Sequence, residues 1–367
     1  MKVPFVDMAR LHAGTKQEVM AAFERVIDSG AFVQGHEVES LEREFEASYG
    51  VDHALAVNSG TAALHLALQA CGIGPGDEVI TVANTFIATA EAISLVGATP
   101  VFADIEEGGF NLDPADFERK ITPRTRAVIV VHLYGHLAAM DRIMPIAQAY
   151  GLKVIEDACQ AHGAALGERP AGTFGDAGCF SFYPTKNVGT LGEGGLLVTR
   201  DDAIAARVAS LRNHGQTERH HHVEPGYNYR MAELQAAALR VFVPHLEAWN
   251  SARAAAARWY AEGLAGTGVE LPAAGPAGEH VYHLYVVRSR QRDALQRFLG
   301  ERGIATAIHY PTPVHLQPAY ASERHGPGAL PRTETAAAEI LSLPMHPSIT
   351  RQEVAAVCEA VRAFDRR

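Results

Sequence analysis

Hydrophobic and polar positions follow two different periods through the first two thirds of the chain, and the two periods take turns. Helical patterns occupy residues 15–28, 37–48, 62–70, 88–96, 114–120 and 140–150. Short apolar runs of strand length occupy residues 54–57, 78–82, 100–103, 127–133, 152–155, 179–183 and 194–199. The run at 127–133 is dominated by apolar residues, which is typical of a strand covered on both faces. The alternation predicts an α/β fold, with a doubly wound, mostly parallel sheet and helices on both of its faces.

The C-terminal third of the chain has a different pattern. A long helix is predicted from about residue 231 to 260, with a kink or break at Pro244. Residues 266–278 are rich in glycine, alanine and proline. Beyond them we expect strands at 281–287 and 306–309, and helices at 292–302 and 352–364. The sequence therefore predicts a large domain over residues 1–246, with an N-terminal helical segment, and a smaller C-terminal α+β domain over residues 247–367.

Composition and charge argue against several classes of protein. Of the 367 residues, 47% are hydrophobic and 20% charged, which predicts a globular chain with a sizeable core. A formal net charge of −10 without a long basic run argues against nucleic acid as the main partner. No stretch reaches the roughly 20 apolar residues of a membrane span, and the first residues lack the apolar run of a signal peptide. The four cysteines are scattered without a CxxC pair, so neither a zinc site nor a disulfide framework is expected, and a reducing cytoplasm fits.

One lysine has surroundings that suggest chemistry. The apolar run 179–183 is followed by Pro184, which cannot donate to a strand ladder, and then by Lys186 among small and apolar residues. Burial in such surroundings disfavours the ammonium form and lowers the pKa of a lysine. A neutral amine can form a Schiff base with an aldehyde cofactor. The ordinary alternative is a loop lysine that points into water.

Four further features lie at predicted strand ends or helix starts, and each also has an ordinary structural interpretation. Ser59, Gly60 and Thr61 stand between a strand and a helix, where unpaired amides could bind phosphate or a side chain could simply cap the helix. Asp157 closes an apolar strand at the edge where open α/β sheets bind ligands, although it could equally cap a helix.

An aromatic residue and a serine complete the set. Phe86 follows a strand, where its ring could stack on a planar ligand or belong to the core. Ser181 could add a phosphate donor or be an ordinary strand serine. Together with Lys186, these residues describe a pocket for pyridoxal phosphate (PLP). The ring of PLP accepts electrons only while its pyridine nitrogen is protonated, and a carboxylate such as Asp157 keeps that nitrogen protonated.

With these residues in place, the chain resembles the sugar aminotransferases of the DegT/DnrJ/EryC1/StrS family. The motifs that carry the resemblance occur in order along almost the whole chain: NSGTAALHLAL, GIGPGDEVI, HLYG, VIEDACQAHGA, GDAGCFSFYPTKNVGTLGEGG, RNHG and GYNYRMAELQAA. The resemblance implies the fold-type I aminotransferase fold, with PLP as cofactor and a homodimer whose sites are shared across the interface. It implies Lys186 as the Schiff-base lysine and Asp157 as the partner of the pyridine nitrogen. The remaining implied cofactor contacts are Gln160 near the ring hydroxyl, Thr61 and Ser181 at the phosphate, and Asn228 at the phosphate of the other subunit's cofactor.

The resemblance also implies an activity. The expected reaction moves an amino group from L-glutamate to a keto sugar linked to a nucleoside diphosphate, and Lys186 acts as the general base. The segments 212–216 and 307–313 look most like relatives that aminate C3, and we expect Arg230, His309 and Tyr310 to contact the substrate. Alternatives are a C4-aminating, perosamine-synthase-like enzyme, or a catalytically silent regulatory member of the same fold. We interpret the histidine run at 220–222 as a loop near the substrate or in solvent and not as a metal site.

Overall fold

The computed structural model describes residues 1–273, 275–276, 278–321 and 326–367 and contains a central seven-stranded sheet. The strands of this sheet are β1 (His53–Val57), β2 (Glu78–Val82), β3 (Thr99–Ala103), β4 (Thr125–Val131), β5 (Lys153–Asp157), β8 (Ala177–Ser181) and β9 (Gly195–Thr199). Three two-stranded pairs accompany it: β6 (Ala165–Leu166) with β7 (Arg169–Pro170), β10 (Gln216–Glu218) with β11 (His221–His222), and β12 (Tyr285–Arg288) with β13 (Ile340–Leu343).

The order of strands in the large sheet is β1-β9-β8-β5-β4-β2-β3. All neighbouring pairs from β8 to β3 are parallel, whereas β9 runs antiparallel to both β8 and β1. Because β9 is the single reversed strand of this sheet, β1 again points the same way as the others. The α/β fold and the mostly parallel sheet expected from the sequence are confirmed, and the carboxyl ends of six of these strands meet at one edge.

Helices cover both faces of the sheet and build the smaller C-terminal part. Their bounds are α1 (Met8–His12), α2 (Lys16–Ser29), α3 (His36–Tyr49), α4 (Gly60–Ala70), α5 (Ala88–Leu95), α6 (Pro114–Lys120), α7 (Met140–Ala149), α8 (Asp202–Leu211), α9 (Glu233–Phe242), α10 (Leu246–Leu264), α11 (Arg292–Glu301), α12 (Pro331–Glu339) and α13 (Arg351–Asp365). Local sequence signals explain several of these bounds. Helix α6 has proline in its first turn and the side chain of Asp113 as its N-cap, as the sequence predicts.

The predicted break at Pro244 is confirmed. Helix α9 ends at Phe242, a 3-10 turn spans Val243–His245, and α10 continues to Leu264. Proline lacks the amide hydrogen that an uninterrupted helix needs at this position, so the α-helical hydrogen-bond pattern is interrupted here.

Four predicted strands differ in the structure. The strands predicted at 127–133 and 179–183 both begin and end two residues earlier, as β4 and β8. The strand predicted at 281–287 is wrong over its first half, because the amides of Val281 and Leu284 donate to the carbonyls of Gly135 and Tyr134 in the large sheet's connecting loops. The strand predicted at 306–309 is also wrong, since residue 307 forms an isolated bridge with Ser342 instead.

Buried apolar side chains form separate clusters. Two large clusters lie on the two faces of the central sheet. A third lies between α10, α11, β12, β13 and α13, and it includes Val3 from the opposite end of the chain. Val3 also forms a parallel bridge with Ile304. The domain boundary near residue 247 stays a prediction, and the separate third cluster supports it.

A second contact ties the N-terminal segment to α13. Glu353 forms a capping box with Thr350 at the start of the helix, and its carboxylate also accepts two hydrogen bonds of 3.1 Å from the guanidinium of Arg10. These hydrogen bonds outweigh the effect of burial and lower the pKa of Glu353 to about 2.

Over the described ranges, we find no helix whose length and hydropathy would allow it to cross a bilayer.

Candidate active site

A cavity of about 510 Å³ opens at the edge of the sheet where the parallel strands end. Ten of the residues singled out from the sequence line it: Ser59, Gly60, Thr61, Phe86, Asp157, Gln160, Ser181, Lys186, His309 and Tyr310. Asp157 is the last residue of β5 and Ser181 the last residue of β8, while Ser59 caps α4 and Gly60 and Thr61 begin it, shortly after β1. The topology therefore brings together residues that are up to 250 positions apart in the chain.

Lys186 lies in the loop after β8, where its backbone amide donates to the carbonyl of Tyr183 at 2.9 Å. Burial lowers the pKa of its ammonium group, and the negative charge of the Asp157 carboxylate acts in the opposite direction. Burial is the larger effect, so a greater fraction of Lys186 is the uncharged amine than for a lysine in water.

The carboxylate of Asp157 is held in a fixed orientation. Its Oδ2 accepts a hydrogen bond of 2.8 Å from the hydroxyl of Thr89 in α5, and its Oδ1 accepts one of 3.2 Å from the amide of Cys159. Thr89 is fully buried and is itself hydrogen-bonded to Thr85 at 2.9 Å. This leaves the carboxylate able to accept a further hydrogen bond from a ligand in the cavity.

Behind Asp157, the neighbouring Glu156 is fully buried and organises the loop that leads to β8. Its two oxygens accept hydrogen bonds from the amides of Gly172, Phe174 and Gly175 and from Nε2 of His132, at 2.6 to 2.9 Å. Nδ1 of His132 accepts from the amide of Ala138, so the ring must donate through Nε2. All four acceptor positions of the carboxylate are therefore in use.

The start of α4 presents backbone amides to the cavity. The hydroxyl of Ser59 accepts a hydrogen bond of 3.1 Å from the amide of Ala62, so Ser59 is a helix cap. The amides of Gly60 and Thr61, in the first turn, have no acceptor within the helix. A Cβ on Gly60 would lie 2.8 Å from both Cys159 Sγ and Ser181 Cβ, so glycine is required for this close approach.

The opposite wall is formed by aromatic and amide side chains. Phe86 is 52% exposed and its ring centroid lies 5.6 Å from that of Tyr310, so it belongs to the cavity wall and not to the core. Gln160 accepts from the amide of Tyr134 at 2.7 Å and lies 3.4 Å from the hydroxyl of Tyr310. Burial raises the pKa of Tyr310 to about 12 and lowers that of His309 to about 4, so both are uncharged near neutral pH.

The structure does not bring two of the predicted residues into the cavity of their own chain. Asn228 is exposed, and its side-chain oxygen accepts hydrogen bonds of 3.2 and 2.9 Å from the guanidinium of Arg230. Neither residue lines the cavity. The histidine run lies nearby on the exposed β10–β11 hairpin. Within the described parts of the chain, no group of three or more histidine, cysteine or acidic side chains could hold a metal ion.

Some residues at the site were missed from the sequence. Thr89 and Glu156 are fully buried polar side chains within apolar elements, and that contrast is a signal that could have drawn attention to them. His283 also lines the cavity, and it lies in a segment that the sequence assigns to a strand. Nothing local distinguishes His283, because its position depends on contacts with distant residues.

The donor set can be tested against PLP. A lysine whose pKa is lowered by burial can bond to an aldehyde through its uncharged amine, a fixed carboxylate can pair with a protonated ring nitrogen, and a helix start with two free amides can bind phosphate. The cavity presents all three on residues Lys186, Asp157 and Gly60–Thr61, with the hydroxyl of Ser181 beside the amides. The residues present therefore fit this cofactor.

Comparisons with known proteins agree with this chemistry. The model of the DegT/DnrJ/EryC1/StrS aminotransferase family matches residues 14–362. The dTDP-3-amino-3,4,6-trideoxy-alpha-D-glucose transaminase of Streptomyces venezuelae is 47% identical over 367 residues, covering 100% of this chain and 97% of that protein. The UDP-N-acetyl-3-dehydro-alpha-D-glucosamine 3-aminotransferase of Acidithiobacillus ferrooxidans is 44% identical over 362 residues, covering 98% and 97%. The crystal structure of S. venezuelae DesV in complex with a ketimine intermediate matches with a TM-score of 0.97 and 47% identity, covering 100% of this chain and 99% of that one.

Proposed function

Since the chain belongs to the DegT/DnrJ/EryC1/StrS aminotransferase family, we propose that it transfers an amino group from L-glutamate to a nucleoside-diphosphate-linked sugar with a ketone at C3. The protein is a PLP-dependent sugar aminotransferase. The donor, the position of the ketone and the roles of individual residues are what we infer.

The observation that carries the chemistry is the buried amine of Lys186, whose pKa is lowered by burial, in the same cavity as the fixed carboxylate of Asp157. When bound, PLP supplies the aldehyde that carries the amino group and a ring that accepts electrons. Lys186 Nζ takes the proton from Cα of the amino donor and, in the second half-reaction, delivers a proton to the sugar carbon that held the ketone. Asp157 would hold the ring nitrogen of the bound cofactor through a hydrogen bond and would keep it protonated.

Amination at C3 is favoured by the names of the relatives. The S. venezuelae relative is a transaminase for a 3-amino sugar, and the A. ferrooxidans relative is a 3-aminotransferase that acts on a 3-dehydro sugar. Both proteins align with essentially the whole of this chain, so the comparison includes the cavity and the segment around His309 and Tyr310.

Purified protein supplied with L-glutamate and paired keto sugars, with the ketone at C3 or at C4, tests the proposal. NMR of the product should show the new amine at C3, and an amine at C4 would establish the perosamine-synthase-like alternative. Lys186→Ala should abolish turnover. Lys153→Ala is the matched control, because Lys153 pairs with Asp176 at 2.7 Å and does not line the cavity. Wild-type turnover by Lys186→Ala would refute the proposed role, and no turnover of either sugar by the wild type would favour the regulatory alternative.

We also propose a homodimer in which Asn228 reaches the cavity of the partner. Asn228 and Arg230 lie outside the cavity of their own chain, and exposed apolar side chains such as Phe32 and Val33 lie on the segment that pairs with residues 232–233. Burial of such side chains is a common driving force for association.

Co-expression of Lys186→Ala and Asn228→Ala chains tests the shared site. If each cavity uses Lys186 of one chain and Asn228 of the other, a mixed dimer keeps one intact site, and activity returns although each variant alone is inactive. No recovery in a dimer that is shown by mass to be mixed would mean that each chain completes its own site.

A further inference from the structure

His283 lines the same cavity as Lys186 but has no role in the reaction described above. It is only 7% exposed. Burial lowers its pKa well below the usual 6.5, and the positive charge of Lys186 lowers it further. The imidazole is therefore neutral near pH 7, with a hydrogen on one ring nitrogen and a lone pair on the other.

A chain of hydrogen bonds decides which nitrogen carries the hydrogen. The side-chain amide of Asn250 donates to the backbone carbonyl of His162 at 2.8 Å, so its oxygen must point the other way. That oxygen accepts from the amide nitrogen of Asn187 at 2.7 Å, and the same nitrogen lies 3.0 Å from the carbonyl of Val281. Backbone carbonyls can only accept, so the orientation of both asparagine side chains is fixed.

The chain ends at the imidazole ring. With its nitrogen facing two acceptors, Asn187 presents its oxygen to Nδ1 of His283 at 3.1 Å. Nδ1 must therefore carry the hydrogen, and Nε2 must carry the lone pair. Nε2 forms no hydrogen bond with any residue that the structure describes, and the same is true of Lys186 Nζ.

The backbone of His283 is held as firmly as its ring. Arg253, which is 3% exposed, donates through Nη1 to the carbonyls of Tyr282 and His283 at 3.2 and 3.1 Å and lies 3.3 Å from that of Met345. A buried guanidinium bound to carbonyls in this way is costly to move. The direction of the Nε2 lone pair is thus set from both the main chain and the side chain.

We propose that His283 is a positioning residue, whose Nε2 accepts a hydrogen bond from the Lys186 amine when that amine, released from the cofactor, turns toward the imidazole. Among the described residues that line the cavity, Lys186 is the single lysine and there is no arginine. Asn187, which fixes the imidazole ring of His283, directly follows Lys186 in the chain. A hydrogen-bond acceptor at this position would keep the freed amine of Lys186 inside the cavity during the half-reactions. The lone pair of the amine would stay available to take up a proton. This inference rests on the proposed role of Lys186.

Other titratable groups also act on Lys186. Burial disfavours its charged form, whereas the carboxylate of Asp157 favours it; burial raises the pKa of the neighbouring Cys159 thiol, which therefore stays uncharged. The neutral histidines whose pKa values Lys186 influences are His162, His283 and His309. Because an acceptor stabilises an ammonium more than an amine, loss of Nε2 should lower the pKa of Lys186, by about half a unit to one unit.

The tautomer can be measured directly in the wild-type protein. In protein labelled with ¹⁵N-histidine, the His283 signals, identified by their absence in His283→Gln, should show hydrogen on Nδ1 and a bare Nε2 at pH 7. Hydrogen on Nε2, or a charged ring, would overturn the proposal. Asn187→Leu, which removes the oxygen that fixes the ring, should allow both tautomers to appear.

The effect on Lys186 is tested without turnover, in protein freed of cofactor. Competitive acetylation at a series of pH values is quantified by mass spectrometry of the Lys186 peptide. The midpoint of the curve is the pH at which half of the Lys186 amine is uncharged and reactive. His283→Asn keeps a polar atom near Nδ1 and removes Nε2, so its midpoint should fall, whereas His283→Gln keeps a polar atom near Nε2 and should stay close to wild type. His12→Gln is the control, because His12 is also a poorly hydrated histidine but packs on Phe242 away from the cavity.

The two possible failures are distinguishable. An unchanged midpoint in His283→Asn overturns the role of His283 while leaving the proposed aminotransferase reaction intact. A midpoint that falls in His283→Asn, but in neither His12→Gln nor His283→Gln, supports the role of His283 even if the sugar specificity proposed above is wrong.

Discussion

The substitution Glu156→Gln tests how much the hydrogen bonds of the buried carboxylate behind the cavity contribute to the stability of the protein. The wild-type carboxylate accepts four hydrogen bonds and is fully buried. A glutamine oxygen can satisfy two of the four donors, but its NH₂ group then faces the other two. His132 cannot adapt by changing its tautomer, because its Nδ1 is occupied by the amide of Ala138.

The magnitude follows from counting the donors that lose a partner. Each buried donor left unpaired costs about 1–3 kcal/mol, so two of them should cost about 2–6 kcal/mol. The free energy of unfolding of a native protein is only about 5–15 kcal/mol. For a chain of this length the loss corresponds to a decrease in Tm of about 3–8 °C.

Differential scanning calorimetry of the wild type and Glu156→Gln at pH 7 measures this decrease. Glu270→Gln is the matched control, since Glu270 is 59% exposed and lies 3.9 Å from Arg288, and such surface pairs contribute about 0–1 kcal/mol. Equal Tm values for Glu156→Gln and Glu270→Gln would refute the reasoning, because they would mean that the four hydrogen bonds are not needed.

Three further predictions concern separate contacts. Thr89→Val removes the hydroxyl that holds Asp157 and should weaken retention of PLP at least about tenfold, measured by equilibrium dialysis, while Thr89→Ser should retain it. Glu353 has its pKa lowered from 4.5 to about 2 in the folded protein, so the stability it contributes is present above about pH 4.5 and is lost as the pH falls toward 2. The Tm of Glu353→Gln should therefore be below that of the wild type at pH 7, and the two values should converge in acid; a constant difference would contradict this. Gly60→Ala places a Cβ 2.8 Å from two side chains and should reduce the free energy of unfolding by about 1–3 kcal/mol in urea, whereas Gly74→Ala, whose nearest atom is 3.9 Å away, should change it far less.

The fold could be predicted best where its signals are local. Helix α6 has the predicted bounds because Asp113 and proline fix its start within two adjacent residues, and the break after α9 is fixed by Pro244. The strand predicted at 306–309 failed because an apolar run does not reveal its partner. In the structure residue 307 meets Ser342 at one bridge and the chain then turns into the cavity wall.

The candidate site shows the same division. Lys186 and Asp157 could be located because Asp157 ends one strand that the pattern reveals and Lys186 follows another, and the strand ends of a parallel sheet converge. The hydroxyl that orients Asp157 comes from Thr89, 68 residues earlier, and the ring of His283 is fixed through Asn187, 96 residues away. No local pattern encodes such pairs, because they exist only once the sheet and the smaller domain have packed together.

The inclusion of Val3 in the third apolar cluster has a consequence for the order of events during synthesis. Val3 leaves the ribosome about 300 residues before its bridge partner Ile304. At a translation rate of roughly 5–20 residues per second, Val3 waits about 15–60 s for the surface that covers it. During that interval the nascent chain leaves the apolar side chain of Val3 uncovered, so a bulky fusion partner placed just before Val3 would interfere at the last stage of folding and not at the first.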